Sequence, residues 1–143
     1  MNVSRKALCI VYGVIAVVAL IGTWRNNLQI QATGLIDANV QFWGGTLATP
    51  ASRSITVDIM WLGLPAMIWM VLEARRLKMR LVWLYILGGT LIAISFTFPV
   101  FMIQRERALA RAGAPAGELH IGDIIGLAVF CAIALVYTVF AIR

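Results

Sequence analysis

Asp58 is the residue best placed by type and context to do chemistry. It is a lone carboxylate in an otherwise apolar run from Ile55 to Leu72. A charge at hydrocarbon depth is costly and is retained where it binds an ion, relays a proton or meets a partner. At about 100° per residue, Trp61, Pro65, Trp69, Glu73 and Arg76 fall within roughly 60° of Asp58 on a helix, so this stripe is expected to face other helices. A structural role competes with that reading. Asp58 lies about one turn into its helix, where the N-terminal dipole favours a negative charge, and Ser54, Arg53 or Arg25 can satisfy it there. A second polar group, Glu118, His120 and Asp123, opens the last apolar run. His120 and Asp123 are three apart and can share a helix face. One His beside carboxylates can shuttle protons or hold a metal, but a single His at a helix start is more often an interfacial residue. Asp58, Arg53, Arg25, His120 and Asp123, with Trp61 as an apolar wall, therefore form the candidate polar or ligand site. No catalytic residue, metal or cofactor is assigned.

The chain carries no P-loop, no His-Glu-x-x-His, no serine nucleophile elbow and no paired His ligands for a membrane haem. The two cysteines, Cys9 and Cys131, form no Cys-x-x-Cys and read as small apolar packing residues. The balance falls against an enzyme.

The elements that must position these residues are four apolar runs. They predict helices over about 7–23, 55–73, 81–103 and 121–142, each near the ~20 residues that cross a ~30 Å hydrocarbon core. The composition agrees: 62% of residues are hydrophobic, 13% are charged, and mean hydropathy is +0.91. The expectation is one all-α, four-helix transmembrane domain spanning 1–143, with no nucleic acid among its partners. The net charge of +6 reads as topology signal and as contact with anionic lipid. Arg5, Lys6, Arg75, Arg76, Lys78, Arg80 and Arg143 fall on one side of a four-crossing layout. Arg25, Arg53, Arg105, Arg107 and Arg111 fall on the other. Basic residues in short loops mark the cytoplasmic side, which places both termini inside. The first helix lacks a small-x-small cleavage site and reads as uncleaved.

Between Trp24 and Ser54, Ile36, Val40, Trp43 and Leu47 recur at helical spacing among polar residues. This pattern predicts a short amphipathic helix lying in the outer interface, with Ser52 or Ser54 capping the helix that follows. Gly89, Ala93 and Thr97, and Gly122-x-x-x-Gly126, are small-residue faces of the kind that let membrane helices approach closely. Pro65 and Pro99 are expected to kink their helices. Glu73 with Arg75 to Arg80 reads as an inner ion-pair and lipid-contact cluster, and Arg105-Glu106-Arg107 as its outer counterpart.

The pattern Phe42-Trp43, Thr49-Pro50-Ala51-Ser52-Arg53-Ser54, Val57-Asp58, Trp69, Glu73-Ala74-Arg75-Arg76, Pro99 and Arg105-Glu106-Arg107 resembles a bacterial family of small integral membrane proteins, a domain of unknown function. The similarity runs from Gly22-Thr23-Trp24-Arg25 to about Arg107. One departure is Thr49, where the family pattern has Asn before the proline. The resemblance implies a multi-pass protein of the bacterial inner membrane and carries no activity with it. The leading expectation is a protein that acts by association, as a homo-oligomer or an accessory subunit, in contact with membrane lipids. An oligomeric transporter or channel using Asp58, and a membrane enzyme on a lipophilic substrate, are the alternatives.

Overall fold

The computed structural model describes residues 3–115, 117 and 119–143, and its regular elements are all helices, with no strands among the described residues. Its elements are α1 (Val3–Asn27), α2 (Leu35–Thr46), α3 (Pro50–Arg76), α4 (Val82–Gly88), a π-helical turn (Gly89–Ala93), α5 (Ile94–Arg111) and α6 (Ile121–Ala141). Four segments are long and apolar enough to cross a membrane: 4–27, 50–76, 82–111 and 121–141.

The third of these is folded back on itself. Ala93 is extended (φ −176°, ψ 129°) and breaks the helix. Tyr85 and Phe101 would stand about 24 Å apart along a straight helix, yet their ring centroids are 5.7 Å apart. A Cβ on Gly88 or Gly89 would lie 3.2 Å or 3.1 Å from the Thr97 side chain. The small residues expected to join two helices thus face each other across one reversal. The break falls at Ala93 rather than at Pro99, which is buried within α5.

Helix α1 runs antiparallel to α5. Arg5 meets Glu106 near one end, Gly13 lies beside Ile103, and Trp24 Nε1 donates to the Ile92 carbonyl at the other end (3.2 Å). Helix α3 runs alongside α5 in the same direction, with Gly63 near Ile94 and Trp69 against Phe98 and Phe101. The core is small: Met70 and Ala74 of α3, Val82 and Ile86 of α4, and Phe101 of α5. The inward face of α3 is therefore Gly63, Met70, Glu73 and Ala74. Of the stripe expected to face inward, Glu73 is buried and Trp69 packs on α5, whereas Asp58, Trp61, Pro65 and Arg76 are exposed. Small side chains at Gly63 and Ala74 admit close approach of the helices.

Helix α2 is the amphipathic segment expected between the first two spans, and none of its residues is buried. Asp37 fixes its start by accepting from the Thr33 amide (2.9 Å) and from Gln41 (3.1 Å). Thr49 caps α3 together with Ser52, each side chain accepting the other's backbone N–H at 3.0 Å, and Pro50 follows at the first helical position. The expected cap from Ser52 or Ser54 is thus a reciprocal pair in which Thr49 is the cap residue. Thr and Asn both serve well at such a position.

Helix α6 buries no residue. Its last turns meet α1, where Thr138 approaches Gly22 and where Tyr137, Thr138 and Ala141 share a cleft with Gly22 and Asn26. Pro115, six residues before α6, accepts from Arg5 at the far end of α1. Six residues span at most about 20 Å, so α6 must run from the Arg5 end towards the Gly22 end.

Candidate functional site

Two features stand out once the candidate residues are placed. The first is a buried ion chain across three helices. Arg5 of α1 pairs with Glu106 (3.1 Å), Glu106 with Arg105 (2.8 Å), Arg105 with Glu73 (2.7 Å), and Glu73 with Arg76 (2.9 Å). Arg5, Glu73 and Glu106 are buried. Arg5 also donates to the Ala114 and Pro115 carbonyls, and the Arg105 guanidinium lies over Trp69, 5.6 Å from its ring centre. Each buried carboxylate meets two arginines, the arrangement that lets charges leave water without an uncompensated ion.

The fold-back of α4–α5 makes this chain possible. In a straight third span, Arg105 would stand at the far end from Glu73, on the side where the sequence reading put it with Arg25 and Arg53. The reversal at Ala93 returns Arg105 to Glu73, about 22 Å along α3 from Asp58. The inner and outer clusters read from the sequence are one network.

The second feature is an apolar groove of about 630 Å³ between the C-terminal half of α1, the N-terminal half of α3, helix α2 and the hairpin tip. Trp43, Met60, Trp61, Leu64, Met67 and Ile92 supply its walls, and Thr23, Asn27, Thr90 and Ser95 its polar points. Trp61 is the predicted site residue that lines it.

The other candidates are not brought together. Asp58 is exposed, makes no hydrogen bond or ion pair among the described residues, and lies outside the groove lining. Arg53 reaches back to the Leu47 carbonyl at 2.8 Å and ties the α2–α3 link. Arg25 is exposed at the end of α1. Asp123 accepts from the His120 backbone N–H at 3.0 Å, capping α6. That end of α6 lies towards Arg5, away from Asp58. Glu118 lies outside the described residues. Among those residues no group of three His, Cys, Asp or Glu side chains converges.

Sequence reading missed that Arg5, Glu73, Arg105 and Glu106 act together. The available signal was charge distribution. With the hairpin folded back, Arg5, Lys6, Arg75, Arg76, Lys78, Arg80, Arg105, Arg107 and Arg111 gather at one end. Arg25, Arg53 and Arg143 lie at the other, a far stronger bias than four straight crossings give.

Residues 11–107 match a family model described as "Protein of unknown function DUF2834". The match takes in α1 from its third turn through most of α5, and leaves α6 outside. No curated protein and no solved structure matches the chain.

Proposed function

This chain belongs to the DUF2834 family, whose function is unknown, and we propose that it works in association in the bacterial inner membrane, as a homo-oligomer or beside other membrane proteins. The observation carrying this reading is the hairpin tip. Val82 to Ala93 is about 18 Å long, too short for a ~30 Å core, so α4 and α5 enter and leave on one side. Helices α1, α3 and α6 make the three crossings. Nine of the twelve basic residues then lie with the N-terminus, which makes that face cytoplasmic and puts the C-terminus outside. Interrupted backbone at membrane depth is stable only against protein or a water-filled cavity. Thr90, Leu91, Ile92 and Ser95 are exposed around the break, and a second protein surface is one of the two settings that would shelter it. Helix α6 adds to this, because Gly122 and Gly126 have open space where a Cβ would stand.

Native mass spectrometry of the detergent-extracted protein at natural abundance tests the reading. An oligomer or a stable heteromer is expected. A lone monomer under every detergent condition would overturn it.

The same break supports a second reading, an oligomeric transporter or channel, because interrupted helices at mid-membrane form ion and substrate sites in transporters. In this version Asp58 is the ion or proton site. Flux into liposomes should then fall in Asp58→Asn while the oligomer persists, and unchanged flux removes Asp58 from that role.

A further inference from the structure

The fold-back brings Arg111, at the end of α5, to Lys78 and Arg80 in the α3–α4 link. These three cations line a pocket of about 260 Å³ with Met79, Tyr85 and Gln104. No carboxylate lines it. The nearby acids are committed elsewhere: Glu73 to Arg76 and Arg105, and Glu106 to Arg5 and Arg105. Among the described residues Lys78, Arg80 and Arg111 have no acidic partner, and Lys78, Arg80 and Arg111 are all exposed.

The backbone here is unusual. Helix α3 ends with the Met79 amide donating to the Ala74 carbonyl and the Lys78 amide to that of Arg75. In this end motif the left-handed residue is usually glycine. Here it is Lys78 at φ +53°, with Leu81 at φ +66° two residues after Met79. Non-glycine residues in this region are strained, and such strain collects at ligand clamps. A lysine in place of the less strained glycine keeps a cation at the pocket mouth.

We propose that Lys78, Arg80 and Arg111 bind the phosphate of an anionic lipid headgroup at the cytoplasmic interface. Guanidinium groups meet phosphate oxygens in paired, charge-assisted hydrogen bonds, and Tyr85 and Gln104 can add neutral donors. The lipid source is favoured because the pocket opens where the hairpin enters the membrane, on the face argued above to meet anionic headgroups. The pocket lies within one chain and does not depend on the proposed association.

The test is native mass spectrometry of the full chain in neutral detergent with short-chain phosphatidylglycerol, phosphatidylcholine or inorganic phosphate. Phosphatidylglycerol should bind in preference to phosphatidylcholine. Arg80→Gln and Arg111→Gln should each weaken that binding about tenfold, the loss of one charge-assisted contact. Arg143→Gln, at the opposite end, should leave it unchanged. Lys78→Gly guards against a folding failure, since it relieves the left-handed backbone: it should be at least as stable as the natural chain and still bind more weakly. Lys78→Gly binding as well as the natural chain, or Arg143→Gln losing as much as Arg111→Gln, would overturn the site. Inorganic phosphate competing as well as the lipid would overturn the lipid source.

Discussion

Glu73 and Asp58 are two carboxylates of one helix, and their surroundings give them opposite weights. Glu73 is buried and holds two arginines, so Glu73→Gln strips exposed Arg76 of its partner and leaves Arg105 with Glu106 alone. Losing charge-assisted hydrogen bonds at a buried carboxylate costs about 1–3 kcal/mol. Thermal unfolding in detergent should register that loss, while Asp58→Asn should move stability by less than about 0.5 kcal/mol. Comparable losses from both would show that Asp58 is paired after all. Asp37 gives a pH prediction. Hydrogen bonds from the Thr33 amide first, then from Gln41 and the Thr33 hydroxyl, hold its carboxyl below the usual 3.8. A depressed folded-state value contributes order above the unfolded value and loses it as pH falls through the folded value. The protection of the amides of residues 33–41, taken as exchange relative to the intrinsic rate at each pH, should therefore fall below about pH 3.8 and stay flat above pH 5. In Asp37→Asn that acid-side step should vanish.

At the scale of the element, the α4–α5 reversal rests on how closely two backbones approach. Gly88→Ala would place a methyl 3.2 Å from Thr97 Cγ2, an overpacking worth about 1–3 kcal/mol. Thr97→Ser removes that methyl and keeps the hydroxyl that donates to the Ala93 carbonyl. The double variant should recover most of the stability lost in Gly88→Ala, measured by thermal unfolding. Independent, additive losses would show that the hairpin does not close at this pair. The amphipathic helix and the four apolar segments were legible beforehand, since each depends on neighbours a few residues away, and a cap was expected before the second span, though at Ser52 or Ser54 and not at Thr49. The reversal was not. Gly89, Ala93 and Thr97 carry the same small-residue spacing whether they meet another helix or one another.

At the scale of the molecule, the re-entrant reading proposed for the reversal would change the number of crossings. Four straight spans put Gly113 outside and Arg143 inside, whereas three crossings with a re-entrant hairpin put Gly113 inside and Arg143 outside. Reporter fusions or cysteine labelling at these two positions give opposite answers under the two layouts. We expect Gly113 to be protected from a membrane-impermeant reagent in intact cells and Arg143 to be labelled. The reverse pattern would return the chain to four full crossings.

The sequence by itself determined the membrane class, the helical secondary structure, the short amphipathic helix after the first span and the resemblance to a family of unknown function. These follow from hydropathy summed over windows and from local hydrogen-bonding chemistry, both of which are read along the chain. Tertiary structure alone decided which charges meet. Hydropathy records that residues 82–111 avoid water but not whether they run straight, because lipid and a neighbouring helix are equally apolar surroundings. One extended residue, Ala93, turns the segment and returns Arg105, Glu106 and Arg111 to the end where Arg5, Glu73, Lys78 and Arg80 lie. The same turn leaves Asp58 on the far side, exposed and without a basic partner among the described residues.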